Sequence, residues 1–230
     1  MSKVVIVGAG PGDPELITLK GLKYIEACDV IIYDKLTEKL IRYARPNCIK
    51  YFLADSEEEV TTIKRFIDYG YRLIVRLKNG DPYIFGRGAK LCKELMQEVG
   101  VECEVVPGVS AVNSVPAYAG IPLTFQGISN MITIVSAVTE GGRMFEFEKV
   151  PSEGTLVVLM AGKRLREVSK ALMAKRSPLE SVAIIERGTY EDQKVYITRL
   201  KDLGEFKPSS PSMLVLGDVV KLREFLWKVS

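Results

Sequence analysis

Short apolar runs alternate with amphipathic segments along the first half of the chain. Residues 4–7, Val-Val-Ile-Val, form the continuous apolar run typical of a strand buried on both faces. Similar runs predict further strands at residues 29–34, 48–52, 71–77 and 102–106. Helices are predicted between them at residues 19–27 after the N-cap Thr18, at 38–44, from a capping box at 56–59, and at 88–99. This alternation predicts a mostly parallel sheet covered by helices on both faces.

The rhythm changes around residues 118–123, and strands dominate the second half. Strands are predicted at residues 131–136, 155–160, 181–186, 194–198 and 212–216, with helices at 165–174 and 221–229. We therefore expect an α/β protein with two lobes, residues 1–118 and 119–230. The first lobe is predicted to hold the parallel sheet, and the second a mixed sheet with antiparallel pairs.

Charge and composition exclude several classes of function. The 230 residues carry 32 Lys and Arg against 29 Asp and Glu, a net charge of +3, and no histidine. The small excess of positive charge does not predict a nucleic-acid partner. Catalytic triads that use histidine and zinc sites that depend on it are excluded. No apolar run reaches the roughly 18 residues of a membrane span, and the N-terminus lacks a signal-peptide pattern. A cytoplasmic location without membrane attachment is therefore expected.

The four cysteines do not predict a metal or redox motif. Cys28, Cys48, Cys92 and Cys103 are widely spaced, and no CxxC pair is present. Cys28 and Cys103 lie in apolar surroundings, so we expect both to act as small hydrophobic core residues.

Glycine-rich loops follow three of the predicted parallel strands. The loop at residues 8–14 is not a dinucleotide fingerprint, because Asp13 stands where the third glycine is needed. It is either a tight strand-to-helix turn or a rigid loop that shapes a cleft. The loop at 78–88 is either a solvated surface turn or a ligand loop, in which Asn79-Gly80-Asp81 contact a polar ligand and Arg87 holds a carboxylate.

Two further polar side chains lie at predicted strand ends. Ser110, in the loop 107–111, is a helix N-cap, a ligand contact or both. Asp34 is either a proton acceptor or substrate anchor, or a cap for the following helix. Because the carboxyl ends of parallel strands share one edge of the sheet, all these loops are expected to form one cleft.

The motifs at these positions resemble those of the tetrapyrrole methylases. The matching segments are Val-Gly-Ala-Gly-Pro-Gly-Asp-Pro (7–14), Leu-Thr-Leu-Lys (17–20), Tyr-Asp-Lys-Leu (33–36), Arg-Leu-Lys-Asn-Gly-Asp-Pro-Tyr-Ile-Phe-Gly-Arg-Gly (76–88), Pro-Gly-Val-Ser-Ala (107–111), Ala-Gly-Ile-Pro-Leu-Thr (119–124), Glu-Arg-Gly-Thr (186–189) and Leu-Val-Leu-Gly-Asp-Val-Val (214–220). They run in order over nearly the whole chain. The segments 33–36 and 76–88 resemble the group within the family that methylates uroporphyrinogen III.

The resemblance implies a two-lobed homodimer that binds S-adenosyl-L-methionine between its lobes and needs no metal. Cofactor contacts are implied at Pro11, Asn79, Gly80, Asp81, Ile84, Ser110, Ala111, Met160 and Gly188. Asp34 takes the position of the family's proposed acid/base aspartate, and Arg87 that of an arginine that reaches substrate carboxylates. The implied reaction is methylation of uroporphyrinogen III at ring positions 2 and 7. It gives precorrin-2 through precorrin-1, in sirohaem or cobalamin synthesis.

The charged residues around these loops fit an acidic substrate. Uroporphyrinogen III carries eight carboxylates, and the side chains expected to pair with them form a cationic rim of Lys35, Lys78, Arg87 and Lys90. Two other functions stay open. One is methylation of a later precorrin, and the other is a non-catalytic nucleotide-binding module.

The sequence departs from the family pattern at three places. Residues 52–57 lack the usual Gly-Lys-Arg, whose lysine is a proposed acid/base group. Asn79 replaces the first glycine of a Gly-Gly-Asp triplet, and Phe125-Gln126 stands where relatives often have His-Arg. Which group takes the place of that lysine therefore stays open.

Overall fold

The computed structural model describes residues 2–54 and 58–228. The chain divides into two compact units, residues 1–111 and 112–230. The division precedes the predicted boundary at 118, because helix α4 (Ala111–Tyr118) belongs largely with the second half. Val115 of this helix packs so closely on Gly188 that a Cβ there would lie 2.3 Å from Val115 Cγ1. Gln193 Nε2 also donates to the carbonyl of Tyr118, at 3.3 Å.

The first unit contains a sheet of five parallel strands, as predicted. Its strands are β1 (Lys3–Gly8), β2 (Val30–Tyr33), β3 (Ile49–Phe52), β4 (Leu73–Lys78) and β5 (Glu102–Val106). Their order in the sheet is β3-β2-β4-β1-β5, with every described pairing parallel. The carboxyl ends of β1, β4 and β5 are therefore neighbours.

Helices connect these strands close to where the sequence predicts them. They are α1 (Leu19–Ala27), α2 (Glu59–Asp68) and α3 (Gly88–Glu94), with 3₁₀ segments at Pro14–Leu16 and Glu38–Tyr43. Thr18 caps α1 as predicted, since its Oγ1 accepts a hydrogen bond from Gly21 N at 3.1 Å. The predicted helix 88–99 continues beyond α3 as a π-helical turn, Leu95–Val99. The predicted capping box includes residues 56 and 57, which lie outside the described residues.

Both faces of the parallel sheet are buried, which explains its continuous apolar strands. Val5, Ile31 and Val75 contribute to the core on one face. Ile6 and Ile74 contribute to the core on the other, where residues of α2 and α3 cover them. Strands with two buried faces have no polar face to show in the sequence.

The cysteines form two pairs, which the sequence analysis does not predict. Cys92 and Cys103 form a disulfide that joins α3 to β5, with Cα atoms 5.6 Å apart. The prediction that Cys103 is a simple core residue is therefore wrong. Cys28 is fully buried as predicted, and its Sγ lies 3.3 Å from that of Cys48. Burial, together with the neighbouring Cys48, raises the pKa of the Cys28 thiol.

The second unit contains the predicted mixed sheet. Its strands are β6 (Ile132–Ser136), β7 (Thr155–Leu159), β8 (Ser181–Glu186), β9 (Lys194–Arg199) and β10 (Ser212–Leu216), in the order β6-β7-β10-β8-β9. β6 and β7 are parallel, whereas β10 is antiparallel to both β7 and β8. Helix α5 (Leu165–Leu172) contributes its apolar face to the core, with short 3₁₀ segments at Glu140–Gly142, Phe147–Lys149 and Leu200–Glu205.

The predicted C-terminal helix at 221–229 is wrong. A 3₁₀ segment, Asp218–Glu224, lies there instead, and Val229 is outside the described residues. Phe225 and Trp227 follow it with 80% and 70% of their surface exposed. Val219 and Val220 of the segment are buried, whereas Phe225 and Trp227 beyond it bury little surface that could stabilise a longer helix, which explains the early end. None of the helices in the described part of the chain combines the length and apolar character needed to cross a bilayer.

A cluster of charges on β5 makes the stability of the first unit depend on pH. Glu104 contacts Lys20 Nζ at 2.5 Å and Lys3 Nζ at 2.7 Å, and accepts a hydrogen bond from Tyr24 Oη at 2.6 Å. Lys20, then Lys3 and Tyr24, lower the pKa of Glu104 to about 2. A carboxylate with a lowered pKa stabilises the fold above its unfolded-state pKa, and loses that contribution as pH falls toward the folded-state value.

We expect Glu104→Gln to remove part of the acid sensitivity of the protein. At pH 7 the variant should be less stable by about 1 kcal/mol, because solvent screens this partly exposed cluster. Between about pH 4.5 and pH 2 the difference from the wild type should shrink toward zero. Urea unfolding at several pH values measures it. A difference that stays constant across this range would show that Glu104 acts through packing rather than charge.

Candidate active site at the strand ends of the first unit

Three glycines bring together the loops that follow β1, β4 and β5. A Cβ on Gly8 would lie 2.4 Å from Gly108 N, and a Cβ on Gly108 would lie 2.3 Å from Gly80 O. Gly80 has a φ of +65°, which favours glycine. Gly10 and Gly80 also pair through backbone hydrogen bonds of 2.8 and 3.3 Å. The predicted convergence of these loops at one sheet edge is therefore present.

The Asp81 carboxylate fastens two of these loops together. Its Oδ1 accepts a hydrogen bond from Tyr83 N at 2.8 Å, and its Oδ2 accepts one from Gly108 N at 3.1 Å. The sequence predicts that Asp81 contacts a ligand. The structure adds a positioning role, since both oxygens bind backbone amides of the loops themselves.

The rest of the 78–88 loop folds back on its own start. Cβ atoms on Gly86 and Gly88 would lie 2.8 Å from Pro82 O, and Gly88 N donates to that carbonyl at 2.9 Å. Phe85 and Arg87 both adopt left-handed backbone conformations, with φ of +55° and +56°. Non-glycine residues rarely adopt this conformation, so the loop has a specific shape rather than that of a solvated turn.

The features around Asn79 fit a polar ligand that carries amino groups. Asn79 Oδ1 is buried and has no hydrogen-bond partner within the described residues. A buried acceptor of this kind is costly unless a donor reaches it. In the same unit, Asp81, Tyr83, Cys103, Val105 and Pro107 line a cavity of about 320 Å³. S-adenosyl-L-methionine has the amino donors that such a site needs.

The other implied cofactor residues of the first unit lie on the same loops. Pro11 is buried in the loop after β1, and Ile84 is 42% exposed in the loop after β4. Ser110 is buried immediately before α4, which Ala111 begins. The structure therefore brings these four residues to the edge where Asn79, Gly80 and Asp81 lie.

Met160 and Gly188 lie in the second unit, at the ends of strands. Met160 follows β7 with a φ of +58°, and Gly188 follows β8 between Arg187 and Thr189, both with positive φ. Because β7 and β8 are each antiparallel to β10, their carboxyl ends lie at the same edge of the mixed sheet. Their role as cofactor contacts stays a prediction.

Asp34 lies directly after β2 and has two different environments for its two oxygens. Oδ1 accepts hydrogen bonds from Leu36 N at 3.0 Å and Thr37 Oγ1 at 3.4 Å, so the side chain does cap the following turn. Oδ2 lies 3.4 Å from Arg76 Nη2, and the side chain is 33% exposed. Asp34 therefore caps the turn and also presents a solvent-accessible carboxylate at the edge of the sheet.

A buried cluster of charges lies behind Asp34. Arg76 of β4 contacts Glu59 of α2 twice, with Nε at 2.8 Å and Nη2 at 2.7 Å from Oε1. Lys78 Nζ lies 2.5 Å from the same oxygen. Because Ile32 of β2 is paired with Arg76 of β4, Asp34, Arg76 and Lys78 share one face of the sheet. The cluster is not among the sites predicted from the sequence. Charged residues inside an apolar strand are a signal for it, because they need buried partners.

The charged groups of this cluster shift one another's pKa values. Burial, followed by the charge of Arg76, lowers the pKa of Lys78. Burial opposes ionisation of Glu59, but Arg76 and Lys78 outweigh it and hold the pKa of Glu59 below its usual value. Glu59 is therefore an ionised carboxylate shared by two cations.

The predicted cationic rim is only partly present. Lys78 is buried against Glu59, so its assignment to the rim is wrong. Lys35 and Lys90 are exposed, and so is Arg87, which lies immediately before α3. Their pairing with substrate carboxylates stays a prediction.

We expect Asp81→Ala to lower both stability and cofactor affinity. The variant loses hydrogen bonds of a charged group to Tyr83 N and Gly108 N, so the loops should loosen, at a cost of about 1.5–3 kcal/mol. Calorimetry with S-adenosyl-L-homocysteine and urea unfolding measure the two effects. Asp81→Asn, which keeps one acceptor, is the matched control and should lose less of each. Unchanged stability with weakened binding would show that Asp81 is purely a ligand contact.

Known proteins with a similar sequence and fold identify the family. The family model described as Tetrapyrrole (Corrin/Porphyrin) Methylases matches residues 3–204. An S-adenosyl-L-methionine-dependent uroporphyrinogen III methyltransferase of Methanosarcina barkeri is 37% identical, over 97% of this chain and 94% of that protein. A uroporphyrinogen-III C-methyltransferase of Methanocaldococcus jannaschii is 36% identical, over 96% and 97% of the two chains.

A solved structure matches the fold over the same extent. The uroporphyrin-III C-methyltransferase of Thermus thermophilus, solved with S-adenyl homocysteine, superimposes with a TM-score of 0.87. It is 35% identical and is covered over 94% of its length by 96% of this chain. The family model alone covers more than half of the chain. The chain therefore belongs to the tetrapyrrole (corrin/porphyrin) methylases.

Proposed function

We propose that this protein transfers methyl groups from S-adenosyl-L-methionine to uroporphyrinogen III. The proposed products are precorrin-1 after one transfer, to ring position 2, and precorrin-2 after a second, to ring position 7, for sirohaem or cobalamin synthesis. Relatives with this activity in their names match over nearly the full length at 36–37% identity. The observation that carries the proposal is the edge of the parallel sheet, where a rigid glycine loop, the unpartnered Asn79 Oδ1 and the accessible Asp34 carboxylate lie together.

The residues of the first unit supply three functions in this reaction. The loops held by Gly8, Gly80 and Gly108 orient the reactants, which is where much of the rate enhancement of a transfer between two bound molecules originates. Asn79 accepts a hydrogen bond from an amino group of the cofactor. When bound, S-adenosyl-L-methionine supplies a methyl group already activated on a positively charged sulfur, so the protein needs no nucleophile of its own.

Asp34 and the remaining cations act on the tetrapyrrole. Methylation of a ring carbon must be followed by loss of a proton from the macrocycle, and the accessible Asp34 carboxylate accepts it. Arg87, Lys35 and Lys90 pair with substrate carboxylates, Arg87 through a planar group that suits two oxygens at once. Because Lys78 is buried, it takes no part in this pairing.

Mass spectrometry of the reaction products tests the proposal. Uroporphyrinogen III incubated with the protein and S-adenosyl-L-methionine should gain one and then two methyl groups. Reaction only with an already methylated precorrin would support the alternative of a later corrin-ring methylase. No methylation, together with binding of NAD by calorimetry, would support a nucleotide-binding module and overturn the proposal.

We also propose that the protein acts as a homodimer. The support is the resemblance of this chain to a family whose members are dimers, since the motifs occur in the same order in both. Sedimentation equilibrium at micromolar concentration should give about twice the 25.6 kDa mass of the chain. A single 25.6 kDa species would contradict this proposal without affecting the proposed reaction.

A further inference from the structure

The contacts of Arg76 differ from those of an ordinary buried salt bridge. Its guanidinium is fixed on three sides, by Glu59 Oε1 through Nε and Nη2 and by the carbonyl of Leu77 through Nη1 at 2.7 Å. The side chain is 3% exposed. Its fourth neighbour is Asp34 Oδ2, at 3.4 Å. A rigid buried cation therefore faces the one carboxylate to which the proposed reaction assigns proton transfer.

The buried side chains of the cluster carry more positive than negative charge. Glu59 brings one negative charge, whereas Arg76 and Lys78 bring two positive charges, and all three side chains are at least nine-tenths buried. The remaining positive charge is directed toward Asp34 by the geometry of Arg76. Arg87 also acts on Lys78 at longer range. These four residues and Asp34 are the charged groups that face one another here among the described residues.

We infer that Arg76, held in place by Glu59, is a positioning residue that fixes the orientation of the Asp34 carboxylate for proton transfer. This inference rests on the proposed function. Leu36 N and Thr37 Oγ1 hold Oδ1 from one side, and Arg76 holds Oδ2 from the other. With both oxygens held, the carboxylate has one rotamer in which its exposed edge meets the substrate. A salt bridge between Arg76 and Glu59 would by itself be enough for packing. The fold alone therefore does not assign Arg76 a role in this reaction.

Lys78 supports this arrangement from the side of Glu59. Its ammonium lies 2.5 Å from Glu59 Oε1 and is buried, so it does not face the substrate. It neutralises Glu59 and leaves Arg76 free to hold Asp34.

A double-mutant cycle between Arg76 and Asp34 tests this inference. Arg76→Lys keeps the charge and a contact to Glu59, but a single ammonium cannot bridge both carboxylates. We expect its kcat to fall about 10²-fold, with KM for uroporphyrinogen III and the Kd of S-adenosyl-L-homocysteine unchanged within about twofold. Asp34→Asn should lower kcat further than this. In the double variant, Arg76→Lys should add less than about a twofold effect, because the carboxylate that it positions is gone.

Arg176→Lys is the matched control. Arg176 forms a buried salt bridge with Glu180 of similar geometry, with Nε at 2.8 Å and Nη2 at 2.5 Å, in the second unit. Its replacement should lower stability and leave kcat per folded molecule unchanged. If Arg76→Lys does not fold, Arg76→Gln serves instead, because it leaves Glu59 and Lys78 as a neutralised pair.

Three results would overturn the inference. The first is that the two substitutions lower kcat independently, so that their effects multiply in the double variant. The second is a kcat of Arg76→Lys equal to that of the wild type. The third is a fall in kcat of the same size in Arg176→Lys. Failure of the proposed function is a separate outcome, in which the wild type does not methylate uroporphyrinogen III. Crystal structures then decide the inference. A rotated Asp34 carboxylate in Arg76→Lys supports it, and an unmoved one contradicts it.

Discussion

Asp34→Asn should lower turnover by about 10²–10⁴-fold while leaving binding of S-adenosyl-L-homocysteine nearly unchanged. Asparagine keeps the size of the side chain and the oxygen that accepts the hydrogen bond from Leu36 N, so the turn after β2 should persist. It removes the carboxylate that accepts the proton. The cofactor is expected to contact the loops after β1, β4 and β5, whereas Asp34 follows β2. Single-turnover methylation and calorimetry measure the two quantities.

Asp68→Asn provides the control for this variant. Asp68 is 60% exposed at the end of α2, where it pairs with Lys64 at 3.2 Å. Its replacement should change neither turnover nor binding, since exposed ion pairs contribute little to stability. Full methylation activity in Asp34→Asn would mean that Asp34 is only a turn cap. The reaction would then depend on alignment and on the reactivity of the substrate.

Gly108→Ala should destabilise the protein by about 3 kcal/mol and abolish cofactor binding. The added methyl group would lie 2.3 Å from Gly80 O and 2.7 Å from Gly8 Cα. Both neighbours are backbone atoms, so the methyl group fits only if the loops move apart, and this cost lies at the upper end for overpacked sites. Urea unfolding and titration with S-adenosyl-L-homocysteine measure the two effects.

Gly70→Ala separates crowding from backbone strain. Gly70 has a φ of +86°, and nothing lies within 4 Å of the position of its Cβ. The cost there should be that of the left-handed conformation alone, about 1 kcal/mol, and cofactor binding should be unaffected. Equal stability of the two variants would show that the loops around Gly108 yield easily and are not rigid.

Local patterns in the sequence predict the fold well. Strands β8 and β10 have the predicted limits, because each is a short apolar run with turn residues on both sides. Thr18 is the predicted cap of α1 because its hydroxyl and the spacing to Gly21 are both local. The predicted helix at 221–229 is wrong for the opposite reason. Its helical periodicity is local, but a helix also needs a surface to cover, and Phe225 and Trp227 are exposed.

The sequence predicts those parts of the candidate site that depend on residues close together in the chain. The meeting of the loops after β1, β4 and β5 follows from the common edge at which parallel strands end, and so does the position of Asp34. The contacts of Asp81 and Arg76 do not. Each joins residues that are distant in the chain, with partners at Gly108 in one case and at Glu59 and Asp34 in the other. The disulfide between Cys92 and Cys103 is a contact of the same kind, since it depends on how α3 packs on β5.

The contact between Gly8, Gly80 and Gly108 has a consequence for local unfolding. Loops on a protein surface usually exchange their amide hydrogens quickly and independently of one another. Here Ala9 N donates to Lys78 O at 2.8 Å, Gly80 N to Gly10 O at 2.8 Å, and Gly108 N to Asp81 at 3.1 Å. Opening any one of these loops breaks its contacts with the other two, because their backbones are in direct contact. Their amides should therefore exchange at one common, slow rate, as a single cooperative unit with the ends of β1 and β4.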